Sequence, residues 1–261
     1  MTNILLTISY DGTDFCGWQR QDNPDGSEAA RTVQGQIEVA LEKMLKQKVK
    51  LYGSGRTDSG VHARAQAANF FSPFDSIGEA NYVRALNGLL PGDIRIHKAE
   101  KVPDDFNSRF SATSRMYHYF IHCTSVPAAR DTRYCWAIPN RPDVDVLNQM
   151  CSHLKGEIDC KTFQAAGDQS LSTNRYIDGA RFFWDEKDPD LLVFEIEANA
   201  FLWKMVRSLT GTLITMEKNG KSGDDFKVVL ESRDRKKAGL TAPPEGLFLW
   251  KINFDGIRRH V

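Results

Sequence analysis

The sequence lacks the cysteine pairs and the long apolar runs that define several classes of protein. Its five cysteines are odd in number and widely spaced, at positions 16, 123, 135, 151 and 160. Because no CxxC pair occurs, we expect free thiols rather than a disulfide framework or a zinc knuckle. No stretch approaches the roughly 18 apolar residues of a membrane span. We expect no cleavable signal, because the N-terminus has only a short apolar run before polar residues begin. We therefore expect a cytoplasmic protein with no membrane association.

The sequence also lacks an excess of charge of either sign. It has 34 basic and 34 acidic residues and a formal net charge of zero at pH 7. The charges are unevenly spread, however, since six Lys or Arg and one acid, Asp58, lie between Lys43 and Arg64. Such runs are more often solvated faces than binding sites, but a local basic patch is enough to engage phosphates. A net charge of zero therefore does not exclude an RNA partner.

The periodicity of apolar residues predicts an α+β fold. The first hundred residues read strand, helix, strand, strand, helix, strand, which is the split βαβ order of ferredoxin-like and RNA-recognition folds. The predicted elements are strands 3–9, 49–52, 66–71 and 94–96, and helices that begin at Thr32 and Glu79. A second unit begins near Phe106 and repeats this outline, with strands 115–123, 176–184, 191–198 and 247–254 and helices 144–154, 201–218 and 224–232. We expect two related halves, 1–105 and 106–261, that share a largely antiparallel sheet with a catalytic cleft between them.

The most informative stretch is the glycine-rich segment GSGRTDSGVHARA, residues 53–65. Glycines between two predicted strands allow a tight turn that presents the Asp58 carboxylate two residues from Arg56. The spacing matches neither the dinucleotide fingerprint nor a P-loop. Asp58, Ser59 and His62 do not indicate a serine hydrolase, because no G-x-S-x-G elbow occurs and triad members come from distant parts of a chain. The segment is typical of a displayed catalytic acid.

Two histidines and one helical arginine carry further hypotheses. His118 and His122 lie four residues apart on a predicted strand, which separates them by about 13 Å, too far for one ion. We therefore predict no metal. Arg207 lies on an otherwise apolar predicted helix, where burial without a partner is costly. It lies either at the solvent edge or within reach of a carboxylate or a phosphate.

Seven sequence blocks are distinctive, and in order they are YDGTDFCGWQRQ, RTVQGQIE, GSGRTDSGVHARAQ, LNGLLPGDIRI, FNSRFSATSRMYHY, ANAFLWKMVRSLTGTL and TAPPEGLFLWKI. Together they resemble the blocks of the tRNA pseudouridine synthase A family, and the match spans nearly the whole chain, from about Ile4 to Phe254. The resemblance implies isomerisation of uridine to pseudouridine at positions 38, 39 and 40 in the anticodon stem-loop of tRNAs. It implies no cofactor and no metal, and a homodimer in which one tRNA contacts both subunits.

The same resemblance implies roles for five residues. Asp58 in GRTD matches the catalytic aspartate, in the first half of the chain. Tyr117, in the second half, matches the residue that stacks on the target base, and Arg207 matches the arginine that pairs with the aspartate. Arg56 and Arg109 match basic residues placed at the RNA.

Two other functions are compatible with the same residues. A non-catalytic module that binds structured RNA would show the basic and aromatic residues without the chemistry. A nucleoside hydrolase would break the same glycosidic bond and release free uracil. The resemblance favours the isomerase over both.

Overall fold

The computed structural model describes residues 1–24, 26, 28–129 and 131–259. These residues form five α-helices and ten strands with largely antiparallel pairing, which confirms the predicted α+β class. Two compact units are present: Met1–Ala112 with Leu249–Asp255, and Thr113–Phe248 with Gly256–Val261. Most of the closing strand thus belongs to the first unit, whereas the predicted halves, 1–105 and 106–261, placed it in the second. In the described part of the chain, no helix is long and apolar enough to cross a membrane.

The first unit is a sheet with two helices. Its strands are β1 (Thr2–Tyr10), β2 (Tyr52–Gly53), β3 (His62–Ser72), β4 (Ile94–Lys101) and the part of β10 (Leu247–Asn253) that begins at Leu249. They are ordered β4-β1-β3-β10, with β2 also paired to β3. The helices are α1 (Val33–Leu45) and α2 (Glu79–Leu89). Alternate apolar residues of β1, namely Ile4, Leu6, Ile8 and Tyr10, are buried in the core.

Helix α1 forms as its sequence pattern predicts. The apolar residues at helical spacing, Val33, Ile37, Leu41 and Leu45, are all buried. Thr32 caps the helix, since its side chain accepts a hydrogen bond from the N–H of Gly35, which satisfies one of the free donors of the first turn. Apolar periodicity and a capping residue were sufficient to locate this element.

The predicted strand at Val49–Tyr52 is wrong for most of its length, because only Tyr52 and Gly53 pair with β3. The backbone of Leu51 is bonded to helix α1 instead. Its N–H donates to the carboxylate of Glu38 (3.1 Å), and its carbonyl accepts from the side-chain amide of Gln34 (3.1 Å). These side chains satisfy the backbone groups that a strand would have used, so the segment forms no ladder there.

The second unit contains the remaining strands and helices. Its strands are β5 (Ser114–Cys123), β6 (Trp136–Ile138), β7 (Gly156–Asp159), β8 (Asn174–Trp184) and β9 (Leu191–Ala198), in the order β5-β9-β8-β7. These neighbours are antiparallel, whereas β6 pairs parallel to β5. The helices are α3 (Val144–Cys151), α4 (Met205–Lys218) and α5 (Gly223–Glu231). The short strands β6 and β7 carry no clear alternation and were not predicted.

Helix α4 begins at Met205 and not at the predicted residue 201. Lys204 has a left-handed backbone with φ of 59°, which a helix cannot continue through. The N–H of Trp203 donates to the Asp168 carboxylate. The residue before Lys204 is therefore bonded to the loop that contains Asp168 and not to a helical turn. Helical spacing over the predicted range 201–218 would place Trp203 on the buried face with Val206 and Leu209, but 45% of its surface is exposed.

The cysteines differ strongly in exposure, and this predicts their reactivity. Cys16 is exposed, whereas burial raises the pKa of the Cys135 thiol to about 11 and those of Cys123 and Cys160 to about 12. Burial also raises the pKa of the Cys151 thiol. Since the thiolate is the reactive form, we expect one fast thiol per chain with a disulfide reagent at pH 8 and five after unfolding. Cys16→Ser should remove the fast phase; a fast phase that persists in this variant would contradict the assignment.

Candidate active site

Asp58 lies in the loop that joins β2 to β3, and the turn that holds it is tight. The N–H of Val61 donates to the carbonyl oxygen of Asp58 (3.2 Å), and Gly60 between them has φ of 78°. A positive φ at the third residue of such a turn is the position that glycine occupies without strain. Asp58 itself is half-buried. The turn therefore fixes the direction in which the carboxylate is presented.

The start of this loop is tied to the following strand. The N–H of Ser54 donates to the carbonyl of Ala67 (2.9 Å), and its hydroxyl donates to the side-chain oxygen of Gln66 (2.7 Å). The amide of Gln66 in turn donates to the carbonyl of Gly55 (3.1 Å). Ser54 and Gln66 are both buried, where hydrogen-bonded polar groups are costly to separate. The loop is therefore anchored on both sides of Asp58.

A second loop, residues 11–18, packs against the back of the Asp58 loop. The N–H of Trp18 donates to the carbonyl of Thr57 (3.1 Å). The carbonyl of Phe15 accepts from the N–H of Gly60 (3.3 Å) and from the hydroxyl of Ser59 (3.1 Å). Each residue that flanks Asp58 is thus bonded to this second loop, which we call the bracing loop.

Two glycines of the bracing loop allow this close approach. A Cβ at Gly12 would lie 2.0 Å from the carbonyl oxygen of Val61, and one at Gly17, which has φ of 90°, would lie 2.7 Å from that of Thr57. The N–H of Gly12 also donates to Nδ1 of the buried His62 (3.0 Å). Backbone contact at this distance requires residues without side chains. Sequence reasoning assigned this loop no role, although its two glycines within YDGTDFCGW were a usable signal.

Trp18 anchors the bracing loop in the core of the first unit. It is fully buried, and its ring covers Gly53, where a Cβ would meet the indole at 2.5 Å. The Tyr10 ring lies 6.0 Å from the Trp18 ring, and the Tyr10 hydroxyl is 2.8 Å from the hydroxyl oxygen of Thr57. These contacts connect strand β1, the bracing loop and the residue immediately before Asp58.

Arg56 and Arg109 belong to the same unit as Asp58, and both are exposed. Arg56 lies in the Asp58 loop itself. The N–H of Arg109 donates to the side-chain oxygen of Asn107 (3.0 Å), and its guanidinium carbon lies 5.7 Å from the centre of the Phe110 ring. Exposed guanidinium groups are suited to contact phosphates.

Tyr117 lies on β5 of the second unit and is held in place by an aromatic neighbour. Only 8% of its surface is exposed, and its ring meets that of Phe201 edge to face at 5.1 Å. Tyr119, two residues on, is fully buried and donates its hydroxyl proton to the carbonyl of Pro243 (2.7 Å). Burial raises the pKa of the Tyr119 phenol far above its usual range, so this group stays protonated. Tyr119 is therefore a structural donor, not an acid or a base.

Arg207 lies in the first turns of α4 and is half-buried. Its Nε donates to the carbonyl of Ala242 (2.8 Å), and the N–H of Ala242 donates to the Arg207 carbonyl (3.0 Å). The reciprocal pair fixes the side chain against a neighbouring segment. Its pairing with a carboxylate, which the resemblance implies, stays a prediction.

The two histidines of the predicted strand 115–123 both have carboxylate neighbours. Nε2 of His118 lies 2.9 Å from Glu195, and Nε2 of His122 lies 3.5 Å from Asp188. Among the described residues, no group of three or more His, Cys, Asp or Glu side chains is placed to hold a metal ion.

Comparisons with known proteins agree on one family. A family model described as tRNA pseudouridine synthase matches residues 6–111 and 150–255. A tRNA pseudouridine synthase A of Treponema denticola is 54% identical over 252 residues, which cover 97% of this chain and 92% of that protein. Proteins of the same name from Brachyspira hyodysenteriae (41% identical; 97% and 99% covered) and Caldicellulosiruptor bescii (39%; 95% and 98%) are also similar.

Proposed function

This chain belongs to the tRNA pseudouridine synthase family, and we propose that it isomerises uridine to pseudouridine in the anticodon stem-loop of tRNAs, with Asp58 as the catalytic residue. The observation that carries the proposal is the braced loop that presents this one half-buried carboxylate between strands β2 and β3. A fixed position for the reacting group supports catalysis, because small misplacements are costly in rate.

The reaction conserves all atoms of the nucleoside. The bond between N1 of uracil and C1′ of ribose breaks, the base rotates, and a new bond forms between C5 and C1′. C5 then loses its proton and N1 gains one. Since no electrons leave the substrate and no group is added, the isomerisation requires no redox cofactor and no second substrate.

Asp58 supplies the single ionised carboxylate that this chemistry requires. It either attacks the substrate covalently or stabilises cationic character at C1′, and both roles differ from the two-carboxylate arrangement of most glycosidases. We propose that Arg207 pairs with this carboxylate. Arg56 and Arg109 then contact the RNA backbone, as their exposure permits.

A base within a stem has to leave the stack before an acid can reach its sugar. We propose that Tyr117 stacks on the extruded uracil, and its buried, laterally supported ring fits this role. We also propose a cytoplasmic homodimer in which one tRNA contacts both subunits. Light scattering on the purified protein should give the mass of two chains.

The proposed reaction is tested by treating unmodified tRNA transcripts with the purified protein and mapping pseudouridine at nucleotide resolution. We expect modification at positions 38, 39 and 40 and none elsewhere in the anticodon arm. Binding without any pseudouridine favours a non-catalytic RNA-binding module. Release of free uracil, measured in the same reaction, favours a hydrolase.

Substitution of Tyr117 tests the stacking role. Tyr117→Leu removes the aromatic face and should lower the rate about 5- to 150-fold, since stacking of one base contributes roughly 1–3 kcal/mol. Tyr117→Phe keeps the ring and removes the hydroxyl, so it should retain most activity if stacking is the main role. Single-turnover rates on one tRNA transcript measure both. An equal loss in the two variants would assign the effect to the hydroxyl instead.

A further inference from the structure

Two neighbouring strands of the first unit bring an arginine side chain over the ring of a tryptophan. Arg64 is on β3 and Trp250 is on β10, and the guanidinium carbon is 4.5 Å from the centre of the indole ring. Arg64 is exposed, whereas Trp250 is half-buried. A cation over an aromatic face is attracted by the ring electrons. The indole thus restricts the direction of a long, charged side chain that is open to solvent.

A β-bulge determines the face on which Arg64 lies. The pairing of β3 with β1 shifts by one residue here, so Arg64 and Ala65 together oppose Ser9. Further along β3, Phe70 packs against Tyr82 of helix α2 (5.7 Å). Uninterrupted alternation would place Arg64 on the same side as Phe70, against the helices. The extra residue turns Arg64 to the opposite face of the sheet, which is how bulges commonly re-aim side chains beside active sites.

The same face carries two further pairs of a cation and an aromatic ring. Tyr52 pairs directly with Asn69 of β3, and the ammonium of Lys50 lies 5.3 Å from the Tyr52 ring. The segment that contains Arg109 and Phe110 donates a backbone N–H to the side chain of Asn69. Phe110 is 57% exposed. Cations interleaved with aromatic rings are the surface that proteins use for unpaired or extruded nucleotides.

We infer that Arg64 is a further RNA-binding residue, which contacts a phosphate of the substrate, and that Trp250 is the positioning residue that orients it. The inference rests on the proposed function, because it assumes that the bound RNA is tRNA. The placement favours this role, because β3 begins directly after the Asp58 loop and Arg64 lies near its start. A phosphate bound there would position the RNA strand next to the catalytic loop.

Two substitutions separate binding from chemistry. Arg64→Ala should weaken tRNA binding about 5- to 20-fold at low salt and reduce the slope of log affinity against log salt by about one. KM should rise by the same factor while kcat is unchanged. Trp250→Leu keeps the charge, so it should raise KM about 2- to 5-fold and leave the salt slope unchanged, since that slope follows the number of neutralised phosphates.

Arg84→Ala is the matched control. Arg84 is exposed on helix α2, which packs on the opposite face of the sheet, and its side chain contacts Asn81 (3.0 Å). The substitution removes the same charge and should change affinity less than two-fold. Thermal melts of the variants identify any loss of folding. Equal weakening by Arg64→Ala and Arg84→Ala would show only an effect of total charge and overturn the inference.

The outcomes also distinguish this inference from the proposed function. If the wild-type protein makes pseudouridine and Arg64→Ala binds tRNA normally, the function stands and the RNA contact is wrong. If the wild-type protein makes no pseudouridine but Arg64→Ala weakens tRNA binding and lowers the salt slope, the contact stands and the function is wrong.

Discussion

Replacing Asp58 by asparagine should abolish pseudouridine formation while tRNA affinity changes little. The substitution keeps the size of the side chain and removes the negative charge that the proposed mechanism requires. We expect the rate to fall at least about 1000-fold, the scale seen when a group that acts in the transition state is removed. Single-turnover formation of pseudouridine and equilibrium binding of an unmodified transcript measure the two effects separately.

Asp104→Asn is the control for the loss of one negative charge. Asp104 is exposed in the same unit, and we expect activity within two-fold of the wild type. An Asp58→Asn variant with unaltered activity would overturn the mechanism. A parallel loss of tRNA binding and activity would instead assign Asp58 a role in holding the substrate.

Replacing Gly12 by alanine should destabilise the first unit and inactivate the protein. The added Cβ would lie 2.0 Å from the carbonyl oxygen of Val61, and the hydrogen bond from Gly12 to the neighbouring His62 (3.0 Å) holds the two segments together at this point. Overpacking typically costs about 1–3 kcal/mol and more where backbone has to shift; we therefore expect a loss of at least about 3 kcal/mol in the free energy of unfolding. Urea unfolding measures it.

Gly88→Ala is the matched control for this substitution. Gly88 lies in helix α2, and a Cβ there would meet no heavy atom within 4 Å apart from its chain neighbours and the helix's own backbone. Alanine is favoured over glycine within a helix, so this variant should gain about 0.5–1 kcal/mol and keep full activity. A Gly12→Ala variant with wild-type stability and rate would show that the bracing loop does not hold Asp58.

The predictions from the sequence were most accurate where a single local pattern determines the structure. Helix α1 needs only an apolar stripe and the cap at Thr32, and both are readable from neighbouring residues. The predictions failed where a distant partner intervened. Leu51 lies in a segment that alternates apolar and polar residues as a strand does, but the side chains of Glu38 and Gln34 bind its backbone. Trp203 has the spacing of a helical core residue, but the left-handed backbone of Lys204 and the hydrogen bond to Asp168 leave it outside the helix, which begins at Met205.

The sequence by itself determined the α+β class, the family and the aspartate to examine first, because each depends on short motifs or on local periodicity. Only the tertiary structure showed that the bracing loop holds the residues around Asp58 and that a bulge turns Arg64 away from the helices. The bonds from Trp18 to Thr57 and from Phe15 to Gly60 join residues about forty positions apart. Contacts at that separation leave no periodic trace in the chain, since they depend on how its strands and loops pack.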